Sequence, residues 1–327
     1  MARKIILDHL AYVIYEHPDL EKFMKFAHDF GFELAGEVDG SMYLNGYGID
    51  HYSYIATQAP AGNPKRFIGA GFVAKSEDDF ALACKLEGVR IKNVEGVPGG
   101  GEVAILKDPN GYEIHVIWGQ RPKDVPARPE SACIDGRTPV NGAFEKKRKG
   151  QFVRLAPGPA KIHKLGHFGY TTGNYEATCA WYADRFNFIP TDILHAQENA
   201  SVDVATFFRL DLGKRYVDHH CFLVARGGTP DTKPHHSSFE VEDLDTQFMG
   251  HKWLEDQKYR LVWGIGRHFH GSQVFDYWYD TSEFIVEHYA DGDMVNDDAQ
   301  VTRAAAGNMA VWGPPVPAIW GGSQTSS

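Results

Sequence analysis

The chain has 327 residues, of which 43% are hydrophobic and 23% charged, and its formal net charge is −10. That length accommodates two domains, and that balance excludes a disordered, collagen-like or simple coiled-coil chain. It also argues against a nucleic-acid or anionic-membrane surface, since no basic patch stands out against the acidic background.

Taken in chain order, residues 5–15 read as a strand. Pro18 opens a helix with the apolar stripe Leu20, Phe23, Met24, Ala27 and Phe30, and Gly31 stands where that helix would stop. A second strand and helix follow over 67–88, with Ser76 and Asp79 at capping-box spacing ahead of Phe80, Ala83 and Cys84. A turn at Asp108 leads into a strand reaching His115. The stretch 121–160 is rich in proline (122, 126, 129, 139, 157 and 159), carries the basic run Lys146-Lys147-Arg148-Lys149, and reads as a surface linker. The same order then recurs. Lys164–Tyr170 answers Ile6–Tyr12, and Trp181, Tyr182 and Phe186 mark the next helix. Phe239-Glu240-Val241 followed by Leu244, Phe248 and Met249 answers 67–88, and Asp280–Glu287 answers Asp108–His115. Repetition at this period means two related domains, expected over 1–120 and 161–295 with the linker 121–160 between them. The tail 296–327 is expected to pack Trp312 and Trp320 on the body, with 321–327 disordered.

No apolar run approaches the ~20 residues of a membrane helix, and the N-terminus lacks a signal-peptide core, so neither a membrane span nor secretion is expected. Cys84, Cys133, Cys179 and Cys221 are scattered without a CxxC pair, which suits a reducing cytoplasm.

Histidine is the unusual entry in the composition: eleven of the sixteen lie between 163 and 288. His167, His236 and Glu287 each fall on a predicted strand of the second half. Their separations of 69 and 51 residues form no local motif, and any one of them alone is more simply a structural residue. Alternation of Ile285 and Glu287 with Phe284 and Val286 turns Glu287 inward, where a carboxylate needs a cation or several donors. Two imidazoles and one carboxylate are the set that holds Fe(II) on one face and leaves positions open for substrate and oxygen.

These residues resemble the type I extradiol ring-cleavage dioxygenases of the vicinal oxygen chelate superfamily. Leu165-Gly166-His167 matches the strand of the first iron ligand, and His235-His236-Ser-Ser-Phe-Glu-Val matches the paired-histidine strand whose second member binds metal. Gly266-Arg267-His268, then Asp276-Tyr277, then Glu287 resembles the family signature, with Asp280-Thr281-Ser282-Glu283 in place of its usual turn. The resemblance covers nearly the whole chain. It implies an α+β fold of two tandem domains, each of paired βαβββ units forming an incomplete barrel (the vicinal oxygen chelate or glyoxalase-like fold). It also implies Fe(II), or Mn(II) in its place, on His167, His236 and Glu287, with a catechol-type substrate and O2 as partners in a homo-oligomer.

By the same resemblance His220 is the acid/base, a role that suits an imidazole because its ordinary pKa lies near neutrality. His219 is expected to face the other side of that strand. His268 and Tyr277 match the groups that hydrogen-bond the substrate oxygens, and His235, His270 and Asp276 join them as substrate-binding candidates. His251 is expected on a helix face, and His195 and His288 on the surface. In the first half the counterparts are His9, Gly69 and His115. Glycine donates nothing, so that half is expected to lack the metal. Two other readings stay open: a 4-hydroxyphenylpyruvate dioxygenase-like iron oxygenase, and a non-catalytic protein that binds aromatic compounds.

Overall fold

The computed structural model describes residues 3–125, 142–146, 150, 154–307 and 309–320. Most of the predicted linker, including Lys147-Arg148-Lys149, and the predicted disordered end 321–327 lie outside the described residues.

Four βαβββ units follow one another. The first holds β1 (Leu7–His17), α1 (Leu20–Phe30), β2 (Glu33–Val38), β3 (Ser41–Asn45) and β4 (Tyr54–Gln58). The second holds β5 (Arg66–Ala74), α2 (Glu77–Cys84), β6 (Arg90–Asn93), β7 (Glu102–Lys107) and β8 (Glu113–Trp118). The third holds β9 (Ile162–Thr172), α3 (Tyr175–Arg185), β10 (Phe188–His195), β11 (Asp203–Leu210), the short β12 (Val217–Asp218) and β13 (Phe222–Arg226). The fourth holds β14 (Lys233–Val241), α4 (Leu244–Asp256), β15 (Arg260–His268), β16 (Val274–Tyr279) and β17 (Ile285–Ala290), and β18 (Met294–Val295), β19 (Thr302–Ala305) and β20 (Ala310–Trp312) complete the chain.

Local chemistry places the helix starts. Asp19, not Pro18, caps α1 by accepting from the Lys22 N–H, and Gly31 closes it in the left-handed region at φ 105°. Ser76 caps α2 by accepting from the Asp79 N–H, while its hydroxyl donates to the Asp79 carboxylate in place of the backbone bond that would complete a capping box.

The first two units form one sheet in the order β2-β3-β4-β1-β5-β8-β7-β6, and the last two form β19-β10-β11-β13-β9-β14-β17-β16-β15-β20. Each sheet curls into an incomplete barrel. A single apolar core joins the halves on the helix side: Phe23, Phe26 and Phe30 of α1 pack with Phe239 of β14 and Leu254 of α4. Tyr15 meets Ser237 hydroxyl to hydroxyl at 2.7 Å across the junction.

The tail contributes more than predicted. β19 adds in parallel to β10 at one edge of the second sheet, and β20 adds antiparallel to β15 at the other. The chain between them therefore crosses the gap in that barrel. Trp320 is half-buried there, but Trp312 stays 45% exposed, so only one of the two indoles finds the cover expected of both. Among the described residues no helix is long and apolar enough to cross a membrane.

A candidate metal centre in the second barrel

Strand register builds the centre. Ser238 on β14 pairs with His167 on β9 at one side and Glu287 on β17 at the other. His236 lies two residues before Ser238, so the pleat sends all three side chains to the same face. The small Ser238 between them leaves that space open. His167, His236 and Glu287 are 3%, 4% and 0% exposed. Nε2 of His167 lies 2.8 Å from Nε2 of His236. Glu287 Oε2 lies 3.3 Å from the first and 3.5 Å from the second.

These residues fit a divalent ion. Cis ligands at about 2.1 Å from an ion stand roughly 3 Å apart, close to the three separations seen. Neither oxygen of Glu287 receives a hydrogen bond of good geometry, although the residue is fully buried. Two imidazole nitrogens converge beside that carboxylate, each able to offer a lone pair to an ion. A cation at the shared focus resolves all of these deficits together. Burial works to raise the Glu287 carboxyl, but His167 and His268 hold it well below its usual range, so it is anionic. Among the described residues this is the metal-capable group of three.

The neighbouring side chains orient the focus. Nδ1 of His236 lies 2.6 Å from Nδ1 of His235, which fixes the ring that presents Nε2. His235 is pushed down to about 4 by burial and stacks 4.9 Å from Trp320. Tyr277 pairs with Glu287 across β16–β17 and so shares its face. His268 Nδ1 donates to the Met309 carbonyl at 3.2 Å, and its Nε2 lies 2.7 Å from the Tyr277 hydroxyl. Burial holds the Tyr277 phenol well above its ordinary pKa, so it stays a donor.

His220 is 3% exposed, with its ring 4.1 Å from that of His167. It sits just before β13 rather than on it. His219 does not turn away. Its Nε2 lies 3.2 Å from Asp192 and its Nδ1 3.1 Å from Nδ1 of His220. With Asp192 accepting from His219 Nε2–H, His219 Nδ1 accepts from His220, and Nε2 of His220 keeps its lone pair. Asp192 also receives His270 Nδ1 at 2.6 Å and the Thr302 hydroxyl.

Asp276 is a correction. It pairs with His288, one residue out of step with Tyr277 and Glu287, and so faces α4. There it accepts from His251 at 2.9 Å and from the Trp278 indole at 2.8 Å, fully buried and away from the cup. His288 is also a correction. It is 0% exposed, stacks 3.7 Å from Phe30 and donates to the Phe30 carbonyl at 2.7 Å. His251 is largely buried against Asp276, whereas His195 is half-buried outside the cup.

A cavity of ≈ 170 Å³ opens on the centre, and His167, His220, His235, His236, His268, His270 and Tyr277 reach it. The rest of its wall is apolar and comes from β10, β11, β13 and the tail. None of that wall was predicted, because no residue in it carries a chemical signature.

The first barrel differs at the equivalent points. Leu10 pairs with Phe72 as Phe168 pairs with Ser237, so His236 corresponds to Gly71, not Gly69. Val73 pairs with Ile117 as Ser238 pairs with Glu287, so Ile117, not His115, stands in the place of the carboxylate. Neither Gly71 nor Ile117 has a ligating atom. A Cβ on Gly71 would lie 2.4 Å from the Tyr12 ring, which packs with Tyr43, Tyr52 and Ile117 where the second barrel is open. His115 is bound by Tyr12 and Glu113, and His9 by Asp8 and Asp50.

Residues 6–116 and 164–287 match the Glyoxalase/Bleomycin resistance protein/Dioxygenase superfamily, one match per barrel. The chain belongs to that superfamily. It is 25% identical to Metapyrocatechase 2 of Cupriavidus necator over 315 residues, 95% of this chain and 89% of the relative. Among solved structures it is similar to homoprotocatechuate 2,3-dioxygenase of Arthrobacter globiformis (TM-score 0.74, 17% identity, 97% of this chain and 90% of that one). It is also similar to the Mn(II)-bound glyoxalase of Novosphingobium aromaticivorans (TM-score 0.71, 18% identity, 94% and 93%).

Proposed function

We propose that this superfamily member is an extradiol dioxygenase, opening a catechol ring beside its two hydroxyls with both atoms of O2. The observation that carries the reading is the convergence of His167, His236 and Glu287 on one buried focus at the floor of an apolar cavity. Those three residues would hold Fe(II), with Mn(II) as the alternative ion. When bound, that ion supplies open positions for diol and oxygen and the electron exchange between them.

The chain's own residues supply the rest. Nε2 of His220, left with its lone pair by the Asp192–His219 arrangement, takes a proton from the entering diol and later returns it. Tyr277, kept protonated by burial, turns its one hydroxyl proton from His268 to a catecholate oxygen when the diol enters. His235 and His270 line the same cavity as substrate contacts. The apolar wall excludes water around the reacting groups.

The likeness to Metapyrocatechase 2 along 95% of the chain supports the same activity. A 2-oxo acid, as the 4-hydroxyphenylpyruvate dioxygenase reading requires, would bring a carboxylate to a wall that, among the described residues, offers no lysine or arginine. A protein that only binds aromatics has no need of an imidazole base beside the focus. The free Cys84, Cys179 and Cys221 suit the cytoplasm.

The test is direct. Protein loaded anaerobically with Fe(II) is mixed with catechol, air is admitted, and oxygen uptake is followed with the yellow absorbance of a ring-opened semialdehyde. Uptake that required a 2-oxo acid, or diol binding without uptake, would defeat the proposal.

A further inference from the structure

The cup's wall narrows the substrate class. We infer that the diol taken by this cup is a single-ring, uncharged one: catechol itself, or a catechol carrying a short alkyl group or a halogen. The inference rests on the extradiol reading and deepens it.

Size is the first argument. The cavity is ≈ 170 Å³. An apolar cavity of about 150 Å³ accommodates one benzene ring. One ring with a small substituent therefore fills this space, and a biaryl diol exceeds it. Phe207 sets the limit on one side. Its ring lies 5.0 Å from that of His220 and stacks on His270 at 5.8 Å. Trp320 sets it on the other, stacked on His235 and edge-on to Tyr277 at 4.9 Å.

Charge is the second argument. Away from the focus the wall is Leu194, Val204, Ala205, Leu223 and Ala225, and among the described residues no lysine or arginine lines it. Apart from the base His220 and the metal-binding residues, the ionisable groups that line it are engaged: His235 with His236, His268 with Tyr277, and His270 with Asp192. The arginines of the surrounding strands point elsewhere. Arg226 donates to the Asp203 carbonyl and pairs with Glu176, Arg303 pairs with Asp203, and Arg209 reaches the carbonyls of Asn296 and Ala299. Asp192, behind His219 and His270, is held well below the ordinary carboxylate range by those rings and the Thr302 hydroxyl, against the effect of burial. A carboxylate on the substrate would lose its hydration and gain no lysine or arginine from that wall.

The test compares catechol, 4-methylcatechol, 3,4-dihydroxyphenylacetate and 2,3-dihydroxybiphenyl in two measurements on the full chain. Binding is read anaerobically from quenching of tryptophan fluorescence in Fe(II)-loaded protein, and kcat/KM from oxygen uptake once air is admitted. Catechol and 4-methylcatechol should bind more tightly and exceed the carboxylated and biaryl diols in kcat/KM on the order of 100-fold or more. Phe207→Ala should narrow the gap for 2,3-dihydroxybiphenyl and leave that for 3,4-dihydroxyphenylacetate in place. Equal or better binding and cleavage of 3,4-dihydroxyphenylacetate would overturn the inference while leaving the extradiol reading intact. Preferential binding of the neutral diols without oxygen uptake would overturn the extradiol reading and leave the account of the wall standing. Failure of every diol to bind would overturn both.

Discussion

Replacing Glu287 by glutamine tests the focus without relying on turnover. The side chain keeps its shape but loses the one negative charge among three ligating groups. An ion that binds only the folded chain stabilises it by about 2.7 kcal/mol at a hundred times its dissociation constant. Unfolding entropy of about 2.1 cal/mol/K per residue, over 327 residues, is roughly 0.7 kcal/mol/K. Saturating Fe(II) should therefore raise the Tm of the natural protein by about 4 °C. Loss of an orienting partner outside the ligand shell weakens metal affinity by about 10–100-fold, so loss of the anionic ligand itself should weaken it by at least the upper figure. At the same ion concentration the variant then gains about 0.4 kcal/mol, less than 1 °C. The assay is anaerobic calorimetry of both proteins with and without Fe(II), alongside metal analysis after gel filtration. A Glu287→Gln protein that kept the full shift would place the ion elsewhere, and a natural protein with no shift would remove the ion from the account.

Three further outcomes are expected. His220→Ala should lower kcat by about 100- to 10,000-fold with near-normal iron content; loss of the iron instead would make His220 a support of the metal rather than the base. Asp276→Ala should cost about 2–4 kcal/mol, because it leaves the Trp278 indole and His251 without their acceptor in a buried place. Its kcat/KM at a temperature where it is folded should stay within a few-fold, and a selective rise in KM would return Asp276 to the substrate. Asp280 is pushed up to about 7 by burial, against the N–H groups of Ser282 and Phe284 that favour its anion. Its folded pKa exceeds the unfolded value, so the folded chain binds the extra proton and stability falls as pH rises from about 4 to 7. Asp280→Asn should therefore stabilise the protein by a few kcal/mol at pH 8 and by only about 1 kcal/mol near pH 4.5; calorimetry at both pH values checks the sign, and a larger gain at the acid end would contradict it.

Much of the centre was legible from residue types read together with the family resemblance. His167, His236 and Glu287 stand out because two imidazoles and an inward carboxylate, each on a strand of a repeated unit, have few other uses. The capping pair Ser76 and Asp79 and the stop at Gly31 were equally plain, since those signals are local. Parity within a strand was also available, and it would have separated Asp276 from Tyr277 and His288 from Glu287 had it been applied across β16 and β17. The family signature drew attention to neighbours in sequence, but neighbours on a strand point in opposite directions.

What the amino-acid order determined by itself was the repeat, the helix caps and the chemical identity of the three converging groups. The partners of those groups were decided only by tertiary structure. Gly71 and Ile117 take the places assigned to Gly69 and His115 because bulges and unequal loops shift the register between strands distant in the chain. Asp192 meets His219 and His270 only once β10 and the loops carrying them are assembled, and the tail crosses the second barrel only because both edges of that sheet accept a strand. The wall that shapes the cavity consists of ordinary leucine, valine, alanine and phenylalanine. Such residues acquire their meaning from what they enclose, and sequence periodicity reports which face of a strand is apolar, not which other strand that face will meet.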